Sequence, residues 1–261
     1  SEPNLVLLHN TWKREDTSHF QKLYDECRSV VINTNASLGE NVVVSYASNI
    51  PDRMTDEAYD AVKEDSDVCE LAFEGPVVTV YYYNDKWFFG TTSCPTVDSS
   101  RYFHPTKTHG MMFDEALSKI VGASSPREAF TALLDKSKAY AFLLVHYENK
   151  HIIDYSDYFD KNDKYAEVIL LNTRDRASLA ECEAGLELES NKYKKIFASP
   201  VDAITYLRTA ECKPYGIVVK KQDGRFIKVS MPDVVDLEEK NLGNPNPWIN
   251  MLNVYIKNKQ T

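Results

Sequence analysis

Apolar and polar residues alternate with a period near two over much of this chain, and shorter stretches of helical period fall between. Pro76–Tyr83 and Lys86–Thr91 read as strands, because β-branched and aromatic residues dominate both. Asn84-Asp85 between them tolerates positive φ, so the two runs are expected to close as a tight hairpin. Similar signals place strands at Ser29–Asn33 and Asn41–Tyr46, paired across the turn-prone Asn35–Gly39. Tyr140–Tyr147 and Lys150–Asp154 are expected to pair across Glu148-Asn149, with Ala166–Asn172 beside them in a second sheet. Gly216–Lys221 and Arg225–Val229 are expected to pair across Gln222-Asp223-Gly224. Helical spacing marks Thr17–Glu26, Gly110–Ile120, Pro126–Lys136, Ser199–Arg208 and Thr55–Lys63, the last with Thr55 as N-cap. Beyond an Asn/Pro-rich stretch from Asn241, Trp248–Asn258 reads as a terminal helix that Trp248 anchors to the core.

These elements predict an α+β fold of antiparallel sheets flanked by helices. The 261 residues suit one domain over 1–261, with two lobes and no internal repeat. The longest apolar runs fall far short of the ~20 residues a membrane helix needs, so no membrane partner is expected. Ser1-Glu2-Pro3-Asn4 shows no basic segment leading into an apolar one, and no signal peptide is expected. The five cysteines include no CxxC pair, which argues against a zinc site or a disulfide framework. They fit a reducing compartment, the cytoplasm or the nucleus.

Net charge is −9 but uneven: residues 191–230 hold nine Lys/Arg against three Asp/Glu. So acidic a chain is a poor nonspecific nucleic-acid binder, although the basic segment could line a phosphate-facing groove. Its plainer reading is a solvated charged face. The GxSxG, HExxH, Walker and GxGxxG signatures are absent, and the six histidines show no metal-ligand spacing. Cys94, His104 and His109 share a Pro-rich loop, but nothing in their spacing fixes a thiol site.

Short phrases in a fixed order say more. Phe73-Glu74-Gly75-Pro76 leads into the Val77–Tyr83 strand, a turn, and a strand opening Lys86-Trp87. Downstream come Phe142-Leu143-Leu144-Val145-His146-Tyr147-Glu148-Asn149-Lys150, then Tyr215-Gly216-Ile217-Val218-Val219-Lys220, then Ile227-Lys228-Val229-Ser230. Cys27-Arg28-Ser29-Val30-Val31 precedes them all. Together these resemble the motifs of the covalent nucleotidyltransferases, the RNA ligase and mRNA-capping superfamily. The match runs over roughly Arg28 to Asp236, with a core of 28–236. The stretch through Ser99-Ser100-Arg101-Tyr102 and His109–Leu117 looks like the RNA ligase–like proteins of large DNA viruses in particular.

In that family a motif lysine attacks the α-phosphorus of ATP or GTP, carboxylates hold a metal and the ribose, and further lysines neutralise phosphate. Carried over by position, the nucleophile falls on Ala72, the third-motif Glu on Leu143, the fourth-motif Glu on Tyr215 and the second fifth-motif Lys on Ser230. The motif arginine falls on Thr92 or Ser93. Glu74, Gly75, Lys220, Lys228 and Arg28 remain as nucleotide-binding candidates. The resemblance thus implies a catalytically inactive module that binds nucleotide or RNA, with no metal ligands and no certain cofactor. ATP or GTP with Mg²⁺ enters only if the pocket still functions. Two alternatives remain: a structural role in a viral protein assembly or virion, and an active ATP-dependent RNA ligase using a displaced lysine. Lys63-Glu64-Asp65-Ser66 mimics the lysine motif, but Ser66 stands where the turn wants glycine. Tyr81, Tyr82 and Tyr83 alternate across one strand and are expected to pack across it rather than stack on bases.

Overall fold

The computed structural model describes residues 2–9, 27–37, 41–46, 51–101, 104, 106–223, 225–240, 248–249, 251–252 and 255–256. The chain divides into two compact units, each built from several segments. The first comprises Ser1–Ile50, Gly75–Asn149 and Tyr158–Lys194; the second comprises Pro51–Glu74, Lys150–Asp157 and Lys195–Thr261.

In the first unit, β1 (Leu5–His9), β2 (Arg28–Asn33) and β3 (Val43–Ser45) form a sheet in that order. The pairing of β2 with β3 is the expected hairpin. Leu5-Val6-Leu7-Leu8 does not alternate, so only its antiparallel partner β2 identifies β1 as a strand. The larger sheet contains β6 (Val77–Tyr83), β7 (Lys86–Thr91), β8 (Lys138–His146) and β9 (Ala166–Asp175), in the order β7-β6-β8-β9. Asn84 and Asp85 take φ of 47° and 60°, as the hairpin turn requires.

One face of this sheet buries Val78, Val80, Phe142 and Leu144 against Met112, Phe113 and Leu117, with Phe130 beside them. Those partners lie on α2 (His109–Val121) and α3 (Pro126–Thr131). Each such side chain contributes roughly 1.5–3 kcal/mol by leaving water. Helix α2 starts where the Thr108 hydroxyl accepts from Met111 N at 3.2 Å, and it stops at Gly122, whose φ is 61°. The opposite face of the sheet packs Tyr81 and Ala139 on Val31 and Val44 of the smaller sheet.

Three of the expected elements differ from those found. Residues 150–154 form no strand: β8 is already paired along one edge with β6 and along the other with β9, so it cannot take a further partner. For the same reason β8 and β9 join the first hairpin in one sheet and do not found another. Helix α3 also ends at Thr131, short of Lys136, because the backbone passes through i−3 turns at Leu133 and Leu134 before extending into β8.

The second unit holds β4 (Asp52–Thr55), β5 (Val68–Ala72), β10 (Gly216–Lys220) and β11 (Phe226–Ser230), in the order β4-β11-β10-β5. β11 runs parallel to β4, and β10 is antiparallel to both β11 and β5. Cys69, Leu71, Ile217, Val219, Ile227 and Val229 are buried on one face. Ala203, Ile204 and Leu207 of α4 (Pro200–Thr209) and Tyr59 of α1 (Asp56–Asp60) are buried with them. Thr55 caps α1 as expected, accepting from Ala58 N at 3.2 Å, but the helix ends at Asp60 rather than Lys63. Arg208 fastens the two helices, reaching Asp56 at 2.7 Å and Asp60 at 3.1 Å. A further helix, α5 (Pro232–Lys240), follows β11.

The expected helix over Thr17–Glu26 lies outside the described residues, as does Gly224 of the β10–β11 turn. Of the terminal helix, Trp248, Ile249, Met251, Leu252, Tyr255 and Ile256 are described, helical and exposed. Trp248 is 74% exposed, so it does not anchor that helix by burial.

Just past β10, Lys221 is buried with Asp67 at 2.9 Å, and Asp67 also accepts from Tyr59 at 2.6 Å and Glu64 N at 3.1 Å. Burial pushes the Asp67 carboxyl up, but these three donors outweigh it and hold it below its ordinary range. Removing the lysine strands a buried carboxylate. Lys221→Met is therefore expected to cost about 3 kcal/mol in urea unfolding; a loss below about 1 kcal/mol would show that the pair does not organise this turn.

Candidate functional site

Residues opposite one another in a ladder point to the same face of a sheet. In the second unit Ala72 stands opposite Gly216, Glu70 opposite Val218, and Lys228 opposite Val218 from the other side. On the parallel ladder Lys228 lies beside Arg53 and Ser230 beside Thr55. One face of this sheet therefore carries Glu70, Ala72, Lys220, Lys228, Ser230, Arg53 and Thr55, while the other carries the apolar core. Ala72, Lys220, Lys228 and Ser230, four positions picked out by the motif resemblance, share that polar face.

Lys228 is its focus. Only 8% exposed, it places Nζ 2.6 Å from Glu238 Oε1 and 3.5 Å from the centre of the Tyr215 ring. Burial lowers its pKa, and the Glu238 carboxylate works against that shift. The same oxygen of Glu238 accepts from the Tyr215 hydroxyl, and Oε2 accepts from Arg53 at 3.2 Å. Burial pushes Glu238 up, yet the hydrogen bonds from Lys228 and Tyr215 prevail and keep its carboxyl below the usual range. Burial also raises Tyr215, so its hydroxyl stays a donor. Beside this cluster lies a cavity of about 330 Å³ lined by Arg53, Met54, Thr55, Lys228, Ser230, Val235 and Glu238. Ser230 is 2% exposed, and its hydroxyl has no hydrogen-bond partner among the described residues.

Lys220 lies 3.6 Å from Glu70 Oε1 and over the Phe226 ring. Glu74 turns its carboxylate onto the chain itself, accepting from Ile152 N at 2.9 Å, Ile153 N at 3.0 Å and the Tyr155 hydroxyl at 3.3 Å. Burial raises its pKa and these donors oppose the rise. Glu74 thereby fixes residues 152–155, which accounts for their irregular path. Gly75 belongs to the first unit, and a Cβ there would lie 2.1 Å from the Leu144 carbonyl oxygen. Close backbone approach by itself demands glycine at this point. Arg28 opens β2 in the first unit, and its side chain lies outside the described residues.

At the positions onto which the motif resemblance carries the nucleophile and the third-motif Glu, Ala72 presents a buried methyl and Leu143 is buried on β8 opposite Val77. Thr92 is half-buried and Ser93 exposed just after β7. Lys63 ends α1's turn by binding Asp60 Oδ1 at 2.6 Å. Cys94, His104 and His109 do not converge: Cys94 meets Ser99 at 3.2 Å, His104 accepts from Lys107 N at 2.7 Å, and His109 pairs with Ser100 at 2.8 Å. Tyr81 stacks on Phe88 at 5.4 Å and Tyr82 edges onto Trp87 at 5.3 Å, the cross-strand packing expected of them.

Sequence reasoning passed over the counter-charges, Glu70 and Glu238, and the arginine, Arg53. The acidic run Asp236-Leu237-Glu238-Glu239 was the available signal for Glu238. It also passed over a cluster in the first unit, where donor atoms of Glu115, His146 and Glu148 lie within 4.8 Å of one another. The ammonium of Lys107 stands among them, 2.7 Å from Glu115 and bonded to Glu148, so a cation could enter only by displacing it. The arrangement is a neutralised ion-pair network.

No family model matches this chain, and no curated protein matches it. Among solved structures, it is similar to an Aquifex aeolicus protein assigned as an ATP-dependent DNA ligase, at 12% identity and a TM-score of 0.46 over 84% of this chain. An archaeal ATP-dependent RNA ligase aligns at 11% identity and a TM-score of 0.46 over 77%. A Naegleria gruberi RNA ligase with PPi aligns at 10% identity and a TM-score of 0.44 over 81%. The chain spans 58%, 52% and 66% of those three chains.

His109 and His146 are both buried, and burial lowers both pKa values. The unfolded chain protonates them near pH 6.5 whereas the folded chain resists, so their contribution to stability is full above that pH and is lost as pH falls below it. The melting temperature is expected to drop between about pH 7 and about pH 5.5, with a shallower slope in His109→Gln. A profile that stays flat through this window contradicts the assignment.

Proposed function

We propose that this chain has the nucleotidyltransferase fold of the RNA ligases, has lost lysine adenylylation, and works by binding a phosphate-bearing ligand, either a nucleotide or an RNA end. The observation that carries this reading is the single sheet face that unites Ala72, Lys220, Lys228 and Ser230. That face keeps two lysines suited to phosphate and offers a methyl at the position of the nucleophile. Covalent transfer needs a deprotonated amine beside a metal. Neither Leu143 nor Tyr215 can supply the carboxylate for magnesium, and Glu70 and Glu238 are already paired with lysines. The donor set does not fit the ion.

Lys228 comes nearest to a displaced nucleophile, because burial lowers its pKa and it lines the cavity. Glu238 at 2.6 Å favours its ammonium form, which cannot attack. A second reading, an architectural role in a larger assembly such as a virion, draws on the exposed apolar residues Trp248, Ile249, Met251, Leu252, Tyr255 and Ile256. The free thiols suit a reducing compartment, the cytoplasm or the nucleus, in either case.

With labelled ATP or GTP and Mg²⁺, no covalent adduct is expected by denaturing electrophoresis. Millimolar ATP is expected to bind reversibly, more weakly as salt rises, and Lys220→Ala with Lys228→Ala should weaken it by at least about tenfold. An adduct mapped to Lys228 would establish an active enzyme instead. Absence of ATP and RNA binding, with tight association in a particle, would favour the architectural reading.

A further inference from the structure

We propose that Glu238 is a built-in competitor for the phosphate site: its carboxylate holds the place that a phosphate group of the ligand takes, and α5 must release it for binding. This rests on the phosphate-binding reading above and specifies how that site is regulated. Arg53, Lys228 and Tyr215 all direct donors at one carboxylate. Two cations, Arg53 and Lys228, bond the one carboxylate of Glu238, and the Glu74 carboxylate acts on Lys228 only through space. The Ser230 hydroxyl beside them is buried without a partner among the described residues. A phosphate monoester carries about −1.5 to −2 charge and three terminal oxygens. It would match both cations and give the orphan hydroxyl an acceptor, which a carboxylate does not.

The surrounding structure permits the exchange. The cavity of about 330 Å³ already opens beside the cluster and is at the lower end of the range that holds small ligands. Helix α5 is nine residues long and has Val234 as its buried residue, while Pro232, Asp233, Asp236 and Leu237 are exposed. Besides the Glu238 cluster, Lys213 bonds Asp233 near its start at an exposed position. So short a helix can shift without unmaking the sheet beneath it.

Glu238→Gln keeps the shape and removes the charge, so the variant separates competition from packing. Binding of ATP, of a 5′-phosphorylated oligoribonucleotide and of its 5′-hydroxyl counterpart would be measured by calorimetry for wild type and variant. The variant is expected to bind the phosphorylated probes about tenfold more tightly, the scale of a one-site coupling. Arg53→Ala or Ser230→Ala in the variant background should reverse the gain. A gain with ATP alone assigns the site to a nucleotide, and a gain with the 5′-phosphorylated but not the 5′-hydroxyl strand assigns it to an RNA end. If the variant does not fold, Glu238→Asp, which withdraws the carboxylate by one methylene, should show a smaller gain. Wild-type binding of a phosphorylated probe that the substitutions leave unchanged or weaken would overturn the competitor while leaving the phosphate-binding reading intact. No binding of any probe by either protein at millimolar concentration would overturn both.

Discussion

An ammonium group taken out of water into a β-sheet costs several kcal/mol unless a carboxylate meets it, and the polar face of the second unit is organised around that demand. Lys228 is met by Glu238, and that one contact explains why α5 lies where it does, why Tyr215 can lay its ring over the lysine, and why Arg53 shares the same carboxylate. At the far end of β10, Lys221 meets the same requirement through Asp67 and so fixes the turn after α1. Between them Lys220 pairs with Glu70. For Lys221 and Lys220 the partner comes from a different segment of the chain, and for Lys228 it lies ten residues on, in the helix that follows β11.

That geometry decides what could be read from the sequence. The β6–β7 hairpin was legible because its turn residues and alternation are local. So was the cap at Thr55, whose hydroxyl stands three residues ahead of the amide it serves. The strand Asp52-Arg53-Met54-Thr55 was not, since its pattern resembles a polar loop and only the parallel partner β11 makes it extended. Val68-Cys69-Glu70-Leu71-Ala72 was equally silent, being nearly covered on both faces. The mistaken strand at Lys150–Asp154 has the same origin: the amides of Ile152 and Ile153 are satisfied by a glutamate some eighty residues upstream, a bond no local pattern can announce.

Much of the candidate site was legible as positions but not as a state. The motif resemblance singled out Lys220, Lys228, Ala72 and Ser230, and the ladders bring all four to one face. Counting the missing carboxylates suggested a site simply stripped of acid. The structure shows acid supplied by other residues, Glu70 and Glu238, which neutralise the lysines they meet. Glu74 and Gly75 each meet the backbone, one by accepting amide hydrogens and the other by leaving room for a carbonyl.

The segmented second unit also bears on synthesis. Strands β4 and β5 leave the ribosome early, but β10 and β11, which lie between them in the sheet, follow only after roughly 140 further residues. At ordinary elongation rates that interval is roughly ten to thirty seconds. Throughout it the nascent chain holds two strands without their ladder partners while much of the first unit emerges. The fold therefore depends on keeping Val68–Ala72 from pairing with a neighbouring polypeptide during translation.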